Sequence, residues 1–142
     1  DLPTILEGIS EACAFTRNAT QITEHVRSRL ARQISEQNST DDNFIPLVTL
    51  STEWEQVFAE SIIENGEERQ LSMAPSQLQS FINNVRTVMD DYSEKGESPV
   101  MLTSPAIRPF VRSIVERFRP ETEIMSQNEI HPKAKIKTLG QI

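Results

Sequence analysis

The residues best equipped for chemistry in this 142-residue chain lie together near its end, in Ser126-Gln127-Asn128-Glu129-Ile130-His131-Pro132. Glu129 and His131 stand two apart, so in an extended segment they share a face, and a carboxylate beside an imidazole is the raw material of proton transfer. No nucleophile and no metal-ligand set accompanies the pair. Three readings stay open: proton transfer, a hydrogen-bond network that shapes a loop, and a recognition loop presenting Gln127, Asn128, Glu129 and His131. The other candidate is cationic. Arg108, Arg112 and Arg119 fall together beside the apolar stripe of a predicted helix, either as a solvated face paired with acids such as Glu116 or as an exposed contact stripe for a partner.

Two more residues invite a chemical reading and lose it. Cys13 is the sole cysteine and no histidine stands at a recognisable spacing from it, so it is expected as a packed or half-buried structural thiol. One cysteine also excludes an internal disulfide and a multi-cysteine zinc site, which makes a reducing compartment the simplest assumption. His25 has no second ligand nearby and is expected as a surface or boundary histidine. The chain has no Gly-rich phosphate loop, H-E-x-x-H, C-x-x-C or G-x-S-x-G, and only 4 glycines with which to cradle phosphate. No catalytic, cofactor-binding or metal site is expected, and the chain reads as a non-enzyme.

The elements that must position these residues follow from periodicity. Val100 to Thr103 is an apolar run of strand length, and Ser104-Pro105 offers a helix start, with Ser104 as cap and Pro105 at the first helical position. The helix is predicted over 105–118, its buried side formed by Ile107, Phe110, Val111, Ile114, Val115 and Phe118, and it ends at Arg119-Pro120. Glu123 to Ser126 then forms a strand, completing a strand–helix–strand unit. A long helix over 75–93 carries Leu78, Phe81, Ile82, Val85, Val88, Met89 and Tyr92 on one face. Before it, Phe44 to Leu50 reads as a strand whose Pro46 argues for its start or a sheet edge, and Ser51 or Thr52 caps a helix bearing Trp54, Val57, Phe58, Ser61 and Ile62 until Asn65-Gly66 breaks it.

At the amino-terminal end a short helix with Ile5, Leu6, Ile9, Ala12 and Cys13 is followed by a turn at 15–18 and a second helix over 20–37, with Ile22, Val26, Leu30 and Ile34 at intervals of four. That hairpin has a thin core and is expected to belong to a larger helical bundle. The polar tract over 37–43 is the predicted linker. The expected fold is therefore α/β (α+β): a helical subdomain over 1–40, then a small α/β sandwich over 44–142 with about four strands and three helices. Lys133 to Leu139 alternates lysine with smaller or apolar residues, the period of an edge strand guarded by charge, or else a docking surface for an acidic partner.

The net charge is −7, unevenly spread: residues 41–98 hold 12 acids and 3 bases, whereas 99–142 hold 4 acids and 7 bases. Such a balance argues against nucleic acid, which needs a concentrated basic face. No stretch is long and apolar enough to span a membrane, and an opening of DLPTILEG, without Met or a basic leader, suggests a segment of a longer protein.

Four tracts, PVMLTSPAIRPFVRSIVERFRP, MSQNEIHPKAKIKTLG, DLPTILEGISEA and LVTLSTEWEQVF, occur in an order that resembles the cytoplasmic C-terminal region of the export-gate proteins shared by bacterial flagella and virulence type III secretion systems. The resemblance runs from about Asp1 to Leu139 and is strongest over Leu102 to Leu139. It implies a fragment of an inner-membrane protein, lying on the cytoplasmic side. Members carry membrane helices followed by four cytoplasmic subdomains, and assemble as a nine-membered ring beneath the export channel. Residues 1–40 would match the end of the helical third subdomain, which takes part in ring contacts, and 44–142 the α/β fourth, which swings to open and close a docking cleft. The implied role is docking and regulation in the ordered export of flagellar chaperone–substrate complexes. The implied partners are those complexes, other export-apparatus proteins and ring neighbours, with no nucleic acid, no cofactor, and membrane contact only through helices outside this chain. A rival of another class stays open: a small-ligand or enzymatic α/β domain holding an anion at the N-terminus of the Ser104 helix.

Overall fold

The computed structural model describes residues 1–13, 19–39, 44–65 and 68–142. Its central sheet has the order β5-β4-β1-β6 and every neighbouring pair runs parallel. The strands are β1 (Phe44–Thr49), β4 (Val100–Thr103), β5 (Ile124–Ser126) and β6 (Lys135–Gln141). A second, two-stranded sheet pairs β2 (Ile62–Asn65) with β3 (Glu68–Leu71) in antiparallel register, Ile62 opposite Leu71. The helices are α1 (Leu2–Cys13), α2 (Ala19–Arg29), α3 (Ala31–Gln37), α4 (Thr52–Ser61), α5 (Pro75–Glu94) and α6 (Arg108–Val115), with a 3-10 turn over Gln127–Glu129.

The period of two along the strands sorts side chains onto two faces. Val48, Met101 and Ile124 join Phe58 of α4, Phe81, Val85 and Met89 of α5, and Val111 and Val115 of α6 in one buried cluster. Phe81 lies at its centre, edge-to-face with Phe58 at 4.9 Å and with Trp54 at 5.2 Å. On the opposite face Ile45, Leu47, Val100 and Met125 pack against Ile34 of α3, with Leu30, Ile130 and Ala134 alongside. Both faces of the parallel sheet are thus covered, as parallel sheets require.

Several local expectations hold in detail. Ser51 caps α4, its side chain accepting from Trp54 N–H at 3.3 Å, with Glu53 and Glu55 in the first turn. The face of α5 predicted to be apolar packs against the large cluster. Four main-sheet strands and the three helices over 52–115 match the predicted sandwich.

Other expectations are corrected. The helix over 20–37 is interrupted at Leu30, whose φ of −96° and ψ of 16° lie outside the helical well. The break lets Leu30 and Ile34 turn onto the sheet. α6 begins at Arg108, because residues 105–107 form a turn in which the Ser104 carbonyl accepts from Ile107 N–H and Arg108 N–H. Ser104 is not a cap, and Pro109 rather than Pro105 occupies the first turn of the helix. The end of the predicted α4 helix and the following loop contain the β2–β3 hairpin, and Gly66, the glycine that follows Asn65 in the sequence, is the hairpin signal that could have found it. β1 is internal despite Pro46: β4 pairs only from Leu47 onward, so Pro46 has β6 alone beside it and the missing N–H falls where the sheet is narrower. Cys13 is exposed rather than packed, and α1 buries only Gly8 and Ala12, leaving Leu2 at 66% and Leu6 at 56% exposure. The predicted turn at 15–18 and residues 40–43 of the predicted linker lie outside the described residues.

Candidate docking site

The helical segment meets the sheet through charge. Arg27 of α2 donates from Nε to Glu129 Oε2 at 2.7 Å and from Nη2 to Glu123 Oε1 at 2.8 Å. Arg108 of α6 donates from Nη1 to Glu24 Oε1 at 2.8 Å and from Nε to the Ile124 carbonyl at 2.8 Å, with Glu129 Oε1 3.1 Å from the same nitrogen. Glu129 also accepts from Ser126 N–H at 3.2 Å, so its carboxylate ties α2, α6 and the end of β5 together. The Ser35 hydroxyl donates to the Glu129 carbonyl at 3.0 Å and accepts from His131 N–H at 2.9 Å, pinning the same segment from α3.

The electrostatics follow from burial. Desolvation pushes the Glu24 carboxyl above its ordinary value, with Arg108 pulling the other way. Burial by itself disfavours the charged form of Arg27, but its hydrogen bonds to Glu129 and Glu123 outweigh that and hold the guanidinium above its usual range. Such a seam is a positioning device, because its charges are already spent on one another.

This geometry revises the expected site. Arg108 and Glu129, expected as exposed contact residues, are 4% and 1% exposed. The reason is mutual: each is the other's counter-charge at the point where three elements converge. Arg112 is half-buried and pairs with Glu116 at 3.3 Å. Arg119 turns to another neighbour, donating to Asp90, to Ser93 Oγ at 3.1 Å and to Thr122 Oγ1 at 3.2 Å. The three arginines therefore do not form one stripe. Gln127 and Asn128 are exposed, and His131 is half-buried with its Nδ1 accepting from Lys133 N–H at 3.2 Å. The Glu129 carboxylate and the His131 ring have separate partners among the described residues, so the proton-transfer pair does not form and the loop-shaping network is what the residues build.

The anion site of the rival reading is filled from within. Ser104 N–H donates to Glu55 Oε1 at 3.0 Å and Ser104 Oγ to Glu55 Oε2 at 2.8 Å, so the chain's own carboxylate occupies the position an anion would take. Among the described residues no group of three or more His, Cys, Asp or Glu side chains is placed to hold a metal ion.

Residue spacing missed the feature best suited to a partner. Between α2, the β2–β3 hairpin and the start of α6 runs a cleft of about 450 Å³, floored by Pro105, Ala106, Pro109 and Phe110 and edged by Glu24 and Arg69. It exists because residues 105–107 form a turn instead of continuing the helix, which opens room beside Phe110. The signal in the sequence was the second proline, Pro109, four residues after Pro105.

The described residues thus build an α/β sandwich with a charge-latched helical arm and an apolar cleft beside Phe110. The chain belongs to the FHIPEP family, which it matches over residues 1–135. It is 54% identical to the flagellar biosynthesis protein FlhA of Caulobacter vibrioides over the whole of this chain and 20% of that protein. It is similar to the solved structure of the Chlamydia pneumoniae CdsV protein at 30% identity and a TM-score of 0.90, covering all of this chain and 40% of that one. It is likewise similar to a chain in the solved structure of the Chlamydia pneumoniae CdsV and CdsO protein complex, at 28% identity and a TM-score of 0.81, covering 100% of this chain and 42% of that one. The nonameric SctV-C of enteropathogenic E. coli (EPEC), at 23% identity, shares the fold with a TM-score of 0.86 over 100% of this chain and 42% of its own. The chain thus spans about a fifth of the length of its FlhA relative. Family membership places it among export-gate transport components rather than enzymes. Among the described residues no helix is long and apolar enough to cross a membrane.

Proposed function

We propose that this chain is a docking and regulatory portion of a flagellar type III export gate, held on the cytoplasmic side of the inner membrane by parts of a longer protein. In this reading it takes part in recruiting chaperone–substrate complexes and in ordering their export. The observation that carries the proposal is the unbroken match of the whole chain to a flagellar relative at 54% identity. The cleft beside Phe110 supplies a surface for the work, apolar on its floor and charged at its rim, the composition of a protein-binding patch. CdsV is solved together with CdsO, and a corresponding export-apparatus protein is the natural class of partner here.

Ring assembly is a second part of the reading, favoured by α1. Leu2, Leu6 and Ile9 are exposed on one helix, an apolar stripe that calls for cover from other parts of the longer protein or from a ring neighbour. EPEC SctV-C is nonameric, and a nine-membered ring is the assembly proposed here.

The test uses the full-length protein in a flagellated cell. Phe110→Asp, which lines the cleft and is only half-buried, is expected to abolish substrate export into the medium at unchanged protein level. Arg112→Glu is expected to lower export less. Normal motility and secretion in both variants would remove the cleft and its flank from the docking role.

A further inference from the structure

β6 closes one side of the sheet, and among the described residues no strand pairs with its outer side. At seven residues it is the longest strand of that sheet. An edge of unpaired N–H and C=O groups is a template for another extended chain, and proteins usually keep such edges short. We infer that the β6 edge receives an extended, acidic segment of a partner protein by strand addition.

The choice of an acidic occupant comes from charge. Lys133, Lys135 and Lys137 are all exposed, and no carboxylate pairs with them among the described residues. The Lys137 ammonium lies over the ring of Phe44, on the neighbouring strand β1, at 5.5 Å. Lys133 and Lys135 line a shallow groove of about 350 Å³ with Arg32 and His131, and Glu36 in that groove is already paired with Arg32 at 3.2 Å. The acids of α5, Asp90, Asp91 and Glu94, flank the far end of β6 at Gly140 and Gln141, and beside the basic half Glu97 lines a cavity with Lys137 but forms no ion pair with it among the described residues.

Lysines on an edge can serve purely as guards against unwanted pairing. A pure guard would not place Ile136, 51% exposed, between two of them. Lysine alternating with an exposed aliphatic side chain is the complement of a strand that alternates a carboxylate with an aliphatic residue, main-chain bonds giving affinity and side chains giving choice. The open part of the edge ends at Leu139, whose carbonyl is taken within the chain. Tyr92 donates its hydroxyl proton to the Leu139 carbonyl at 2.6 Å, fastening β6 to α5. The inference does not rest on the export-gate reading, since the cleft beside Phe110 is lined by other residues.

The experiment titrates the 142-residue chain with a synthetic peptide alternating glutamate with valine, and separately with one alternating lysine with valine, while amide hydrogen exchange is followed residue by residue. The glutamate peptide is expected to bind with an affinity that falls as salt is added, and to slow exchange across Lys135–Gln141 by roughly tenfold or more. The lysine peptide is expected to do neither, and Lys135→Glu with Lys137→Glu to abolish the effect while the thermal midpoint stays within a few degrees. Absence of binding, binding that leaves β6 exchange unchanged, or binding retained by the charge-reversed variant would overturn the inference. Concentration-dependent protection of β6 without peptide would overturn it too, assigning the edge to a second copy of this chain.

Discussion

α5 and α2 are both held against the sheet unit, by opposite means. α5 buries Phe81, Val85 and Met89 in the large apolar cluster, a contact whose strength grows with area and depends little on direction. α2 has no buried residue, and it is tied to the sheet unit by the pairing of Arg27 and Glu24 with Glu129, Glu123 and Arg108. Replacing a buried ion pair by apolar groups is often neutral for stability, whereas directional pairs can define a unique arrangement. The difference teaches that the sandwich is specified by volume and the helical arm by geometry, so stability and orientation are separable in this chain.

The comparison can be broken most forcefully at Phe81. Phe81→Ala removes a fully buried ring with two edge-to-face partners, and is expected to cost about 4 kcal/mol, lowering the denaturation midpoint of the whole sandwich at an unchanged denaturant slope. Glu129→Ala is expected to cost somewhat less, about 3 kcal/mol, because it leaves two guanidiniums without their shared counter-charge. Its signature differs: amides of α2 lose exchange protection before those of β1 and β4. Replacing Arg27→Met, Arg108→Met and Glu129→Leu together is expected to restore most of that stability while leaving α2 without a defined docking angle. If the triple variant is as unstable as Glu129→Ala, the seam contributes stability as well as direction.

A smaller effect sharpens the account of the edge strand. A Cβ built on Gly140 meets the Tyr92 hydroxyl at 2.5 Å and ring atoms only from 3.5 Å outward. Gly140→Ala is therefore expected to cost about 1–2 kcal/mol through loss of the bond to Leu139, and much less in a Tyr92→Phe background, where the clashing atom is gone. A double-mutant cycle reads the coupling directly; additive costs would mean that Gly140 is required for another reason.

What could be read from the sequence divides along the same line as the two contacts. The apolar period of α5 announced its buried face, because burial leaves a repeat in the chain. The apolar run of β4, the strand that follows Pro120 and the cap at Ser51 were equally legible. The seam was not: Arg108 and Glu129 stand in polar surroundings and pair with residues up to 102 positions away, so nothing local separates a buried arginine from a solvated one. The interruption at Leu30 was hidden for a related reason, since the spacing of Leu30 and Ile34 fits a continuous helix and only the sheet beneath them decides otherwise. The cleft beside Phe110 was concealed by Ser104-Pro105, a good helix start whose serine is engaged by Glu55 from another element.

The finest distinction between the arm's own contacts lies in their response to pH. Burial holds the folded Glu24 carboxyl above its ordinary value of 4.5, so above 4.5 and up to the raised value the folded chain keeps a proton that the unfolded chain has released. The stability this group contributes is present below 4.5 and is lost as pH rises through the raised value. Glu11 behaves in the opposite sense: its hydrogen bond with His25, at 2.9 Å between α1 and α2, lowers its value. Its contribution is present above 4.5 and is lost as pH falls through the lowered value. Denaturation midpoints measured from about pH 4 to pH 7 are expected to show the advantage of the native chain over Glu24→Gln shrinking as pH rises, and its advantage over Glu11→Gln growing. Slopes of the same sign would mean that Glu24 is as well solvated as Glu11, and that α2 meets α6 through water instead of through a dry pair.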